Sequence, residues 1–259
     1  MVLVTVEHLQ GSGPREPGAW MAVGAQQVIN TIGGGHLEFQ AIESARQRLA
    51  QADTSAPPQK LRFALGPSLG QCCGGVVHLS FQTIDAQHPA VAPFWARTGR
   101  PLALFGGGHV GRAIVEVMAR LPYEIRWIDS RDGIFPADVP PGIQTEHSDP
   151  VQDAVDDLLP GSVVLIMSFS HAEDLDVVAA CLKRLRSRHD LPYVGLIGSA
   201  TKWATFQHRL QQRGFSSAEL EQVTCPIGVP GIEGKEPEVI AIAVAAQLLQ
   251  LSDQKLPQR

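Results

Sequence analysis

The first third of the chain alternates apolar and polar positions at the two-residue period of half-buried strands. Val2–Leu9, Trp20–Val23, Val28–Ile32, Leu61–Leu65 and Val76–Phe81 are the predicted strands. One helical stretch, Leu37–Leu49, interrupts them and puts Leu37, Ala41, Ile42, Ala45 and Leu49 on a single face. Three glycine-rich loops join these elements: GSGPREPGA (Gly11–Ala19), Gly33-Gly34-Gly35, and GPSLGQCCGG (Gly66–Gly75). The pattern describes a small α+β domain. Beyond it, DAQHPAVAPFWARTGR (Asp85–Arg100) has two prolines and no sustained period, as a linker does.

The remainder has a different rhythm. Short apolar runs at Leu102–Phe105, Glu124–Ile128, Val163–Met167 and Val194–Ile197 alternate with helical stretches at Val110–Leu121, Val151–Leu159, Ala172–Ser187 and Ala200–Arg213. A last helix is predicted over Pro237–Leu251. Such alternation implies a parallel sheet with helices on both faces. The predicted architecture is therefore α/β: an N-terminal α+β domain (1–88), a linker (89–100) and a C-terminal Rossmann-like domain (101–259). The last helix, VIAIAVAAQLL, is apolar around most of its circumference, so it is expected to be buried against the sheet or against a dimer partner. A homodimer is the expected assembly.

Composition narrows the function classes. Apolar residues make up 44% of 259 and charged residues 18%, which excludes a disordered chain. Lys+Arg total 21 against Asp+Glu 26, a net charge of −5. That balance argues against nucleic acid as a partner, because neutralising phosphates needs a basic face. The longest apolar stretch, Val239–Leu251, falls short of the about 20 residues that span a bilayer. The N-terminus has neither a basic start nor a cleavage pattern, so no signal peptide is expected. Four cysteines, two of them adjacent, make no disulfide framework and predict reduced thiols in a cytoplasmic protein.

Several motifs could carry chemistry. Gly106, Gly108 and Gly111 form G-x-G-x-x-G in GGGHVG, between the strand PLALF and a helix, with Asp129 at the end of the next strand. That is the context of a dinucleotide fingerprint. The glycines would serve the tight turn, the approach of a pyrophosphate and helix–strand packing, and Asp129 would accept ribose hydroxyls. A Rossmann turn kept for packing alone is the competing reading. His109, His171 and Lys202 are the acid/base candidates at strand ends, and Ser199 is either an N-cap or a ligand. Lys202 in a first helical turn opposes the helix dipole, which hints at an anion held there. GGGHLE (Gly33, Gly34, Gly35, His36, Glu38) could hold a phosphate on backbone donors, or be a plain strand–helix turn. Cys72 and Cys73, after Gln71, are a soft, nucleophilic pair in an open loop; no spacing around them suits zinc. Cys181 and Cys225 read as structural.

These loops, in this order, resemble the XdhC/CoxI family, accessory proteins of molybdenum hydroxylases. The matching stretches are GSGPREPGAWM, TIGGGHLE, LGQCCGG, LFGGGHVGRA, IDSR, YVGLIGSATKW and PIGVPGIEGKEPEVIAIAVAAQLL, which span nearly the whole chain. The XdhC branch is the nearer one. The resemblance implies a chaperone rather than a metabolic enzyme. It would bind the molybdenum cofactor in its molybdopterin form, support its sulfuration by a cysteine desulfurase, and insert it into apo xanthine dehydrogenase. A thiolate of Cys72 or Cys73 would contact the metal. Arg15, Arg112 and Lys202 would supply local positive charge. The sequence departs from the family at Phe169, where a first histidine often precedes His171, and at Glu236-Pro237, where Thr-Pro is usual. The alternative is an NAD(P)-binding oxidoreductase using the Rossmann-like domain, with Arg131 compatible with a 2′-phosphate.

Overall fold

A computed structural model describes residues 1–51, 56–65, 74–85 and 99–252. The chain forms two compact units, Met1–Ala96 and Arg97–Arg259. The predicted linker 89–100 lies outside the described residues up to position 98.

The first unit is a five-stranded antiparallel sheet in the order β3-β2-β1-β5-β4. Its strands are β1 (Val2–Gln10), β2 (Trp20–Val23), β3 (Val28–Asn30), β4 (Gln59–Ala64) and β5 (Val76–Thr83). One face is covered by α1 (Gly35–Ala50), which buries Leu37, Ala41 and Ala45 against Val4, Met21, Val77 and Phe81. The period-two alternation of β5, buried at every second residue, is that of a sheet with one covered face.

The second unit is a six-stranded parallel sheet in the order β11-β10-β9-β6-β7-β8. Its strands are β6 (Arg100–Phe105), β7 (Tyr123–Asp129), β8 (Ile143–His147), β9 (Val163–Ile166), β10 (Tyr193–Leu196) and β11 (Val223–Thr224). Its helices are α2 (His109–Met118), α3 (His171–Arg188), α4 (Ala200–Gln212), α5 (Ser217–Leu220) and α6 (Pro237–Ser252). Every residue of β9 and β10 is buried, as strands covered on both faces must be. Successive residues of β6 serve opposite layers. Leu102 and Leu104 pack with α2 and α6, while Ala103 and Phe105 pack with α3 and α4. The strand order reverses between β6 and β9, where open α/β sheets receive ligands. Among the described residues no helix is long and apolar enough to cross a membrane.

One predicted element differs in the structure. Val151–Leu159 is not an α-helix: Val151–Val155 is a 3₁₀ turn, with Asp153, Asp156 and Leu158 donating three residues back. The Leu158 carbonyl accepts from the buried Arg184 guanidinium at 2.7 Å, and the Val155 carbonyl accepts from it at 2.5 Å in addition to the Leu158 N–H. The last helix shares a core with Leu102, Leu104, Val163 and Leu165 of the sheet, in keeping with its apolar composition. It packs on α2 through Ala241, Val244, Ala245 and Leu248 and leaves Ile242 and Leu249 exposed.

Candidate functional site

The β6–α2 turn lies at the reversal of strand order. Its glycines differ in what requires them. Gly106 has φ +126°, and a Cβ there would stand 2.0 Å from the Met167 carbonyl oxygen. A Cβ on Gly111 would stand 2.1 Å from the Gly106 carbonyl oxygen, which also accepts from the Trp127 indole at 2.9 Å. Gly107 faces Ile134 and Asp129. These three are explained by packing within the fold. Gly108 is not: its φ is −73°, and no described heavy atom lies within 4 Å of where its Cβ would be. It N-caps α2 without a side-chain hydrogen bond, so it opens the donors of that helix end to the outside. His109 follows as the first, exposed residue of α2.

Asp129 ends β7 and is 1% exposed. Its Oδ2 accepts from the Gly107 N–H at 2.6 Å and from the Arg131 guanidinium at 2.9 Å. Its Oδ1 accepts from the Arg131 N–H at 2.8 Å and from Arg131 Nε at 2.9 Å. Burial alone would raise its pKa, but the Arg131 guanidinium and the two backbone donors outweigh burial and hold the carboxyl below its ordinary value. Arg131 also lies over the ring of Phe169, 4.5 Å from its centroid.

At the end of β9, the Ser168 N–H donates to Asp174 Oδ1 at 2.7 Å and the Phe169 N–H to Glu173 at 3.2 Å. Ser170 caps α3 by accepting from the Glu173 N–H. His171 is the first residue of α3, exposed, with its ring edge-on to Phe206. Ser168 Oγ is buried with no hydrogen-bond partner among the described residues. At the end of β10, Ser199 is the N-cap of α4, accepting from the Lys202 N–H. The anion facing Lys202 is internal: its Nζ donates to Asp174 at 2.7 Å and to the Ile197 carbonyl at 2.8 Å. Half-buried Cys225 stands by this turn, close to Gly198. Burial pushes its thiol up to about 11, and that of fully buried Cys181 up to about 12.

In the first unit, Gly33, Gly34 and Gly35 all have positive φ, a run that side chains resist. Glu38, one turn into α1, accepts from Thr31 Oγ1, the Ile32 N–H and the Gly34 N–H. His36 and Phe39 stack at 6.4 Å on the exposed side of the same helix end. Cys72, Cys73 and Gln71 lie outside the described residues. Of the expected cations, Arg15 pairs with Glu16, and Arg112 with Glu116 and Asp138. The acids Glu38, Glu173 and Asp174, which the sequence reading does not single out in that role, are the ligands of these turns. Only the S-x-x-E spacing of Ser170 and Glu173 could have signalled one of them. Among the described residues, no group of three or more His, Cys, Asp or Glu could hold a metal ion.

Sheet, turn and switch-point cleft define a Rossmann-type α/β protein carrying a smaller antiparallel unit. Residues 102–248 match the family described as the XdhC Rossmann domain, and residues 1–63 match the XdhC and CoxI family. The chain belongs to the XdhC family. It is 26% identical over 247 residues to YqeB, a protein of Escherichia coli K12, covering 94% of this chain and 42% of that protein; it thus spans less than half the length of that relative. A crystal structure of a protein from Bacillus halodurans called a xanthine dehydrogenase superposes with a TM-score of 0.77 at 19% identity, over 100% of this chain and 93% of that one. At that identity the likeness is one of fold.

Proposed function

We propose that this protein is a non-catalytic carrier of the molybdenum cofactor that serves a xanthine dehydrogenase. It holds the cofactor while a cysteine desulfurase supplies sulfur, then delivers it to the apoenzyme. The observation that carries this reading is family membership in both segments, 1–63 and 102–248. The described residues fit such a cargo at one end: Gly108 is exposed and adds no side chain in front of a helix end that presents N–H donors. These donors suit the phosphate of molybdopterin. The run Gly33-Gly34-Gly35 is a poorer phosphate surface, because the Gly33 and Gly34 N–H groups already donate to Thr31 and Glu38; His36 stands exposed beside it as a further candidate contact. Thiolate is a soft ligand suited to molybdenum, and Cys72 or Cys73 is assigned that contact. His109 and His171, each first on a helix and exposed, are assigned as further contacts to the cargo. Asp129, Ser199 and Lys202 hold the turns rather than the cargo, since each is bonded within the fold. When bound, the cargo would supply a molybdenum centre able to take up sulfur, and this chain's residues would only hold it.

The test is equilibrium binding of isolated molybdenum cofactor, with molybdenum counted per chain after gel filtration. Wild type is expected to retain it, and Cys72→Ala or Cys73→Ala to lose it. Full retention by the double variant would remove the thiolate role. No retention by wild type would remove the carrier function itself.

A further inference from the structure

We infer that Arg131 closes this Rossmann cleft to NAD(P): it occupies, on Asp129, the acceptor sites that an adenosine ribose would need. A Rossmann fold with a G-x-G-x-x-G turn and a following strand-end Asp is built to receive a dinucleotide, with the carboxylate accepting from the ribose diol. A carboxylate offers about four acceptor positions. Asp129 uses four: one for the Gly107 N–H, one for the Arg131 N–H, and two for the Arg131 side chain. None is left for a hydroxyl, and at 1% exposure the group has no open side to offer one. The bidentate guanidinium takes two positions, the same number as the two hydroxyls of a ribose diol.

Arg131 is held from its other side as well. Its guanidinium rests on Phe169. Ser130 beside it donates to Glu173 at 2.9 Å, tying the β7 end to the start of α3. Ile134 covers Gly107. Arg131 is therefore committed to Asp129 and is not a ligand for a 2′-phosphate. The cleft keeps the open Gly108 edge and loses the adenosine half of the usual site. This inference is independent of the cargo assigned above, because molybdenum retention does not read ribose binding.

The experiment titrates NADH and NADPH, by nicotinamide fluorescence, into the full chain as wild type, Arg131→Ala and Arg131→Met. Wild type is expected to give no saturable change with either nucleotide at millimolar concentration. Arg131→Ala frees two acceptor positions and should bind NADH saturably, at least about tenfold below the wild-type limit in dissociation constant, the worth of two hydrogen bonds. NADPH should gain less, because its 2′-phosphate meets the bared carboxylate. Unfolding temperature is measured on each variant. Arg131→Met keeps an apolar stem over Phe169 and carries the test if the alanine variant does not fold. Wild-type binding of NADPH in preference to NADH would make Arg131 a phosphate ligand and overturn the inference. So would folded variants that gain nothing, since something other than Arg131 would then close the cleft.

Discussion

At the scale of single residues, the four glycines of one turn separate fold from function. Gly106 combines a positive φ with a neighbour at 2.0 Å from the missing Cβ, and Gly111 has a neighbour at 2.1 Å. Both contacts are with backbone oxygen, which cannot rotate away. Gly106→Ala is expected to cost about 3 kcal/mol, from overpacking together with an unfavourable backbone conformation. Gly111→Ala is expected to cost about 2 kcal/mol, from overpacking alone. Gly108→Ala meets nothing within 4 Å and has an ordinary φ. Its stability cost should stay within about 1 kcal/mol, the range for changing an N-cap. Urea unfolding midpoints check the order, and cofactor retention checks the complement: Gly108→Ala should fold and hold less molybdenum. Equal destabilisation by all three would mean that Gly108 is there for packing after all.

At the scale of elements, three turns that enter helices are each neutralised by an acid from their own surroundings. Glu38 does this for the start of α1, Asp129 for the β6–α2 turn, and Glu173 with Asp174 for the start of α3. Helix N-termini favour negative charge, and an internal carboxylate meets that demand without a ligand. Glu38→Ala leaves three donors, on Thr31, Ile32 and Gly34, without their acceptor. It should cost about 2 kcal/mol by urea titration, while Glu38→Gln, which keeps an acceptor oxygen, should cost less. A neutral Glu38→Ala would mean that the three glycines hold the turn unaided. The same contrast explains what was legible in the sequence. The turn at Gly106 is local, and a five-residue apolar strand such as Val163–Met167 announces itself. β8 reads IQTEH and is mostly exposed, so no apolar run marks it. β11 has two residues and α5 four, too short for any period. Asp129 meets Arg131 only two residues on, but the partner of Lys202 depended on packing between separate elements, because Asp174 and Lys202 are 28 positions apart. Cys72 and Cys73, the strongest chemical signal in the sequence, lie outside the described residues.

At the scale of the molecule, each unit has its own core, and Arg184 is the polar centre of the second. Its side chain is 1% exposed. It forms two bonds with Asp190, at 2.9 and 2.7 Å, and donates to the carbonyls of Val155 and Leu158. It thereby joins α3, the loop after it and the segment before β9. Arg184→Ala strands those acceptors and should cost about 4 kcal/mol, as breaking one side of a buried pair does. The Arg184 hydrogen bonds hold the Asp190 carboxyl below its ordinary value. A depressed folded pKa stabilises above the unfolded value, about 3.9 for Asp, and that contribution is lost as pH falls through the folded value. Wild-type stability should therefore drop on the acid side, below about pH 4, and the drop should be shallower in Arg184→Ala, whose Asp190 titrates nearer its free value. Hydrogen exchange read by mass spectrometry localises the effect. Protection should fall in peptides covering Val151–Arg188 and persist in β1 and β5, which belong to the first unit's core. Matching losses in β1 and β5 would show that the two units unfold as one, and Arg184 would then be holding the whole chain rather than half of it.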